Sequence, residues 1–392
     1  MKIVAVGIGQ CGCNIVDEFY AFNNYAKSFF NRRIEILTDA FAVNTDEVDL
    51  VALRQIPQDR DHRIVVGSMT TFGHGVGKIN VDASRIMKDS RSVITENIMN
   101  SERFHECDGV IAVASGGGGT GSGSIGWLLK SLKERIDKPI YAIVVLPFSY
   151  EEKGEASYAV INTGTCLQMV SRYADAVFLL DNERYGRANV SLAKNFKEIN
   201  QDMVSNFYDL FCAGEEHKQK YVGSKVIDAG DIKESLGGIT AIGRGEIGLS
   251  AFYRWRREHF REEVKERGSV GGALRQAESN LSLNADLDNA RKILALFTAP
   301  KDIITLGIVE EVYSFLQDRA PKAVVRMGDY PRRKREISMT LIASELTEVP
   351  RVERLYRHAE KLVKKQAEIN RKAAKRMKKL QEAGKNLPSL EF

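Results

Sequence analysis

The 392-residue sequence predicts an α/β protein: a Rossmann-like domain on a parallel sheet, a long central helix, and a C-terminal α+β domain. Three features carry that expectation. Apolar runs of strand length end in glycine-rich turns at residues 7–14, 70–78 and 116–123, and the first and last of these turns lead into amphipathic helices. Residues 191–212 repeat apolar side chains at helical spacing. Beyond them, strand and helix patterns mix without another phosphate-type glycine loop.

Composition narrows the class. Apolar and charged fractions of 43% and 28% suit a globular protein. No apolar run approaches the ~18 residues that span a bilayer, and Met1–Gly7 enters a strand without a signal-peptide layout. The five cysteines (11, 13, 107, 166 and 212) are odd in number and scattered, with no second Cys/His pair at zinc spacing. They read as reduced thiols of a cytoplasmic protein. The net charge of +5 is unevenly placed: residues 350–392 hold 13 Lys/Arg against 5 Asp/Glu, leaving the remainder at about −3. No nucleic-acid groove is expected in the body.

In chain order, residues 2–6 form the first strand, and Gly7-Ile8-Gly9-Gln10-Cys11-Gly12-Cys13-Asn14 turns it into a helix. Gly7-x-Gly9-x-x-Gly12 after a strand is the dinucleotide-binding fingerprint, and Asp39, after the strand pattern at 34–37, is the acid such a site needs. A nucleotide-dependent oxidoreductase is therefore one alternative. Asn44-Thr45-Asp46 offers an amide and a carboxylate, suited to waters around a phosphate-bound magnesium or to a plain Asx turn. A short strand at 64–66 leads to Thr71-Phe72-Gly73-His74-Gly75-Val76-Gly77-Lys78, whose glycines present backbone donors. Lys78 reads as solvated, and His74 has no partner in sequence.

The apolar run 109–114 passes through Ser115-Gly116-Gly117-Gly118-Gly119-Thr120-Gly121-Ser122-Gly123 into a helix. Without side chains, backbone N–H groups converge on a ligand, and the positive end of the helix attracts an anion. Thr120 and Ser122 add hydroxyls. A flexible linker has this composition but not these flanks, and the Walker pattern is absent. Strands at 139–146 and 176–180 end in Pro147-Phe148-Ser149-Tyr150-Glu151 and Asp181-Asn182-Glu183. On the central helix, Phe196 and Asn200 share a face; an aromatic ring and an amide suit a purine, or a core Phe beside a solvated Asn. Asp228 and Asp231 can polarise a water or cap the helix that follows. After a glycine-rich stretch at 236–245 come charged helices to about residue 277, then strand patterns at 292–298, 323–327 and 337–343. Pro350–Gly384 is one polar helix whose first half docks an apolar stripe through Val352, Leu355, Ala359 and Leu362. Its basic run, 371–379, is solvated or faces acidic lipid or a protein partner.

Gly117-Gly118-Gly119-Thr120-Gly121-Ser122-Gly123 is similar to the signature loop of the tubulin/FtsZ superfamily of GTPases. Gly9-Gln10-Cys11-Gly12 resembles the first nucleotide loop of tubulin, Asn44-Thr45-Asp46 the NTD of FtsZ, and residues 71–77 its γ-phosphate loop. The resemblance implies GTP or GDP held by Gly9, Gln10, Cys11, Gly12, Cys13, Asn14, Asn44, Asp46, Gly75, Val76, Gly77, Gly117, Gly118, Gly119, Thr120 and Gly121. It implies Glu151 on the ribose, and Asn182, Phe196 and Asn200 on guanine. Mg²⁺ is expected mainly on phosphates and water, near Gln10, Asn44 and Asp46. Asp228 and Asp231, similar to the acids of V-D-F-A-D-V in FtsZ, would act on the nucleotide of the next subunit. There are departures: Glu152 and Glu155 stand where P-F-x-F-E-G-x-x-R has Gly and Arg, and Asn182 lacks the preceding Pro.

Residues 326–331 and 348–352 look like segments of the CetZ group of archaeal tubulin/FtsZ-like proteins, tied to cell shape more than division. The implied layout is a GTP-binding domain at 1–190, a central helix and linker at 191–222, an α+β domain at 223–349 and a basic helix and tail at 350–392. The implied function is a cytoskeletal GTPase that self-associates head to tail; an FtsZ-type division-ring GTPase is the other alternative.

Overall fold

The computed structural model describes residues 1–29, 31–154, 157–186, 191–248, 269–332 and 336–384. β1 (Ile3–Ile8) is apolar throughout because both its faces are covered: Val4, Val6 and Ile8 join one core layer, Ile3 and Ala5 the other. It runs into α1 (Gly9–Lys27). β2 (Leu37–Asn44) lies parallel to β1, followed by α2 (Glu47–Val51) and the short edge strand β3 (Arg63–Val65). α3 (Ser68–Thr71) and α4 (Asn80–Met99) lead back to β4 (Gly109–Ser115), on the other side of β1. α5 (Thr120–Lys133), β5 (Ile140–Leu146), α6 (Tyr158–Tyr173) and β6 (Ala176–Asp181) continue the parallel sheet. The short α7 (Asn182–Tyr185) precedes the central helix α8 (Leu192–Ala213). Ile199, Met203, Phe207, Leu210 and Phe211 of α8 are buried, with Phe207 against Phe19 of α1 at 5.7 Å.

α9 (Ala229–Ser235) leads to β7 (Gly238–Gly248), a strand that the glycine-rich pattern did not announce. Its glycines answer to packing: a Cβ on Gly243 or Gly245 would lie about 2 Å from a backbone oxygen of α10 (Ser269–Ser279), which sits directly on the strand. β8 (Lys292–Ala299), α11 (Leu306–Arg319), β9 (Val324–Pro331), β10 (Glu336–Ser344) and α12 (Pro350–Gly384) complete the chain. The charged pattern at 249–268, Glu155 and the tail at 385–392 lie outside the described residues. The described strands form one sheet, ordered β3-β2-β1-β4-β5-β6-β7-β10-β8-β9. Its first parallel part ends in a narrow seam, where β6 and β7 pair only over Ala176–Phe178, and β8 and β9 pair in parallel again at the far edge. Beyond the seam, β10 runs antiparallel to both β7 and β8.

A buried carboxylate ties α8 to β7 beyond that seam. Asp209 of α8 accepts from Arg32, in the loop after α1, and from Arg244 of β7 at 2.8 Å. Burial would raise the Asp209 carboxyl, but the two guanidiniums hold it below the usual carboxylate range.

One expected element moves. The strand expected at residues 34–37 starts only at Leu37, because Asn23 of α1 accepts the backbone N–H groups of Ile36 and Leu37. Asp39 therefore lies near the start of β2, beside His62 at 3.2 Å, and not at the strand end where a ribose acid belongs. The oxidoreductase alternative loses its acid.

Candidate functional site

The order β3-β2-β1-β4-β5-β6 reverses direction between β1 and β4, and in such sheets ligands bind at the carboxyl ends of the strands beside that point. α1 and α5 start there, on Gly9 and Thr120. Neither has a side-chain cap or an acid in its first turn, so both leave N–H groups and positive potential free.

The glycine loops touch one another. Gly9 has φ +70°, and a Cβ there would sit 2.9 Å from the Gly121 nitrogen. A Cβ on Gly119 would meet Val76 at 2.7 Å and the Lys78 backbone at 2.9 Å, whereas Gly118 has open space above it. Side chains stitch the same loops together. Thr45 and Thr120 share a hydroxyl–hydroxyl hydrogen bond of 2.7 Å. Thr71 donates to the Thr45 carbonyl at 3.2 Å, and the Gly75 N–H donates to it at 3.3 Å. Asn162 of α6 donates to the carbonyls of Lys78, Gly117 and Gly118 at 2.9, 3.3 and 3.1 Å. The three loops thus form one cradle.

The expected side chains divide. Gln10 and Asn14 are exposed on α1, and Cys11 is half-buried. Burial pushes the Cys11 thiol up to about 12, with the Glu151 carboxylate adding to it, so this thiol stays protonated beside the 151 loop. Cys13 turns away from the cradle, fully buried with its thiol toward the carbonyls of Gly7 and Val43, and leaves a ligand only its backbone. Ser122, expected as a donor, is held inside its own helix by the carbonyls of Gly118 and Gly119. Asn44 and Gln10 both donate to Asp49, at 3.0 and 2.8 Å. Asp46 caps α2 through one oxygen, accepting from Val48 and Asp49, and its other oxygen faces Gly75.

A second group gathers at the ends of β5 and β6. Glu151 accepts from the Phe148 N–H at 3.0 Å, and Glu183, next to Asn182, accepts from the Ser149 N–H at 2.5 Å. Phe196, 44% exposed, lies 6.3 Å from Phe148. α1 and α8, which carry Asn14 and Asn200, are tied where Gln201 donates to Glu18 at 3.4 Å. A separate cleft of about 440 Å³, lined by Tyr185, Asn206, Arg244 and Gln276 among others, contains none of these residues.

Asp228 and Asp231 form a capping box at the start of α9: Asp228 accepts from the Asp231 N–H at 2.8 Å, and Asp231 accepts in return at 3.3 Å. Among the described residues they share no hydrogen bond with the glycine loops, and Arg326 lies 3.9 Å from Asp231. Sequence reasoning missed Asp49, Asn162 and the role of Thr45 as a tie. Only Asp49 left a local signal, a second carboxylate three residues after Asp46.

Comparison with known proteins agrees with this fold. A model of the tubulin/FtsZ family GTPase domain matches residues 2–188, and a model of the tubulin-like CetZ C-terminal domain matches residues 189–361. Tubulin-like protein CetZ3 of Haloferax volcanii is 28% identical over 366 residues, covering 91% of this chain and 90% of its own. Among solved structures, CetZ2 from Haloferax volcanii as a GTPγS-bound protofilament superposes with a TM-score of 0.79 at 26% identity, over 94% of this chain and 100% of that one. CetZ1 of the same organism, a GDP-bound monomer, gives 0.77 at 27% identity over 92% and 98%. With consecutive domain models spanning residues 2–361 and this sheet order, the chain belongs to the tubulin/FtsZ superfamily and carries a CetZ-type C-terminal domain.

Proposed function

We propose that this chain binds GTP and hydrolyses it within head-to-tail filaments of its own copies, as a CetZ-like cytoskeletal protein controlling cell shape. The observation that carries the reading is the cradle: two uncapped helix starts and three interlocked glycine loops at the sheet's reversal point. Phosphates take the cradle, the ribose takes Glu151, and guanine lies among Asn14, Asn182, Phe196 and Asn200. A protofilament relative with GTPγS and a monomeric relative with GDP support both the nucleotide and the assembly.

Mg²⁺ fits the phosphate side. The donors there, Gln10, Asn44, Asp46 and Asp49, are all oxygen-bearing, as a hard cation prefers. Burial, and then the neighbouring Asp46, raise the Asp49 carboxyl, so local charge favours a cation. Among the described residues no cluster of three or more His, Cys, Asp or Glu stands ready to cage a metal. Gln10, Asn44, Asp46 and Asp49 would hold the ion together with phosphate oxygens and water, and the ion would neutralise phosphate charge. Asp228 and Asp231 would polarise water on the neighbour's nucleotide. No described helix is long and apolar enough to cross a membrane. The reading is of a cytoplasmic protein that does not bind nucleic acid, and the exposed basic half of α12 is the surface for an acidic lipid or protein partner.

The test is a dilution series. GTP hydrolysis per molecule should rise steeply with protein concentration, in step with light scattering. A rate per molecule that stays flat while scattering reports assembly overturns the shared-site reading. ATP bound as tightly as GTP overturns the choice of base.

A further inference from the structure

We propose that Arg351, the second residue of α12, is a positioning residue for the ribose and base side of the nucleotide site, holding together the two strand-end loops that carry Glu151 and Asn182. The inference rests on the GTP reading above.

Arg351 is 6% exposed and comes from far along the chain to reach both loops. Its Nε donates to Asp181 at 3.0 Å, and its Nη2 donates to the Pro147 carbonyl at 2.9 Å and to the Glu152 carboxylate. Pro147 follows the end of β5, and Asp181 is the last residue of β6. Glu152 is the chain neighbour of Glu151, and Asp181 the neighbour of Asn182. Two of the side chains expected on the nucleoside, Glu151 and Asn182, are therefore each one residue from a group that Arg351 grips. Asp181 also accepts from the Glu183 N–H at 3.3 Å, capping the turn on which Asn182 sits. A planar guanidinium can serve these three acceptors at once, whereas an ammonium cannot hold the same fork.

The anchoring of α12 does not depend on this arginine. Val352 and Leu355 are buried, Leu362 and Ala359 pack with Val160, and a Cβ on Gly164 would lie 3.0 Å from Ala359. Removing the guanidinium thus loosens the two loops while the helix stays seated on α6. That helix also carries Asn162, the tie of the phosphate loops. The phosphate side keeps its own fastening, so the effect of Arg351 belongs to the nucleoside.

The experiment pairs variants with altered ligands. Calorimetry with GDP and with 2′,3′-dideoxy-GDP is run on the parent chain, Arg351→Gln, Arg351→Lys and Glu152→Gln, with a thermal melt for each. Arg351→Gln should weaken GDP about tenfold, the equivalent of about one hydrogen bond to the Glu151 carboxylate. The parent's preference for GDP over the dideoxy form should shrink toward none. Arg351→Lys should restore part of that preference, and Glu152→Gln should shift it less in the same direction. A folded Arg351→Gln that binds GDP like the parent overturns the inference. So does one that loses affinity for both ligands by the same factor, the mark of a purely structural arginine. Should Arg351→Gln fail to melt cooperatively, Glu152→Gln carries the same two outcomes. A parent that binds no GDP overturns the GTP reading and this inference with it, whereas the two patterns above overturn this inference alone.

Discussion

The two ends of the candidate site are built in opposite ways. The phosphate end is made of backbone: N–H groups at helix starts and glycines that let one loop lie on another, all before residue 124. Its ties, Thr45–Thr120 and Asn162, are short and mostly neutral. The proposed nucleoside end is made of side chains from four separate elements, at the ends of β5 and β6 and on α1 and α8, and its strand-end loops are bonded by one charge of α12, Arg351. Backbone recognition tolerates no side chain at the contact. Side-chain recognition tolerates change one group at a time. A single substitution should therefore be nearly all-or-none at the first end and graded at the second.

The largest expected effect tests whether a third region stands apart from both ends. Asp231→Ala should lower the hydrolysis rate by ~10²–10⁴-fold, the usual contribution of a positioned acid–base group. GTP affinity of the monomer should stay within twofold or so of the parent, because Asp231 contacts neither loop group. Mixing the variant with parent chains should poison turnover, since each variant silences its neighbour's nucleotide. Loss of monomer binding would place Asp231 in its own pocket and break the division.

Next comes the phosphate end. Gly119→Val would drive a branched side chain into Val76 and the Lys78 backbone, at 2.7 and 2.9 Å already for its Cβ. Overpacking of this kind costs about 1–3 kcal/mol or more, so GTP and GDP affinity should fall on the order of 100-fold together. A variant that still binds either nucleotide at parental strength shows that the loops can part without cost. The smallest effect belongs to the base. Asn200→Ala removes one or two hydrogen bonds worth about 1 kcal/mol each, so GTP should weaken severalfold while ATP, measured alongside, barely changes. Equal weakening of both purines would move Asn200 out of the base contact.

How much of this was legible depends on how far each constraint reaches along the chain. The parallel sheet and the glycine loops could be read directly, because strand, turn and helix follow one another within a few residues and the turn admits only glycine. The central helix and the C-terminal helix were equally plain, as their apolar stripes are periodic. β7 was missed because its glycines serve the packing of α10, and glycine reads as a breaker when the partner is unseen. Ser122 looked like a ligand donor because its acceptors, carbonyls of its own loop, leave no mark in composition. Glu152 looked like a flaw in a family pattern; its reason, Arg351, lies two hundred residues on. Asn162 and Arg351 are visible only once the sheet has closed.

The seam between β6 and β7 has a mechanical consequence. Strand-to-strand hydrogen bonding spans Tyr141–Leu146 with Ala176–Asp181 on one side of β6 but only Ala176–Phe178 with Gly238–Thr240 on the other. Past Phe178 the two strands are joined through Ser282, which accepts from the Asp181 N–H at 2.8 Å and donates to the carbonyls of Leu179 and Ile242. In the proposed head-to-tail filament, load passing from one half of a subunit to the other would cross this short junction. The Arg32–Asp209–Arg244 tie adds a link between the two halves, joining the loop after α1 and α8 to β7 four residues past Thr240, the last paired residue. Breaking such a pair leaves a buried charge alone, at a cost of about 3–5 kcal/mol. In the proposed filament that junction would recur once per subunit.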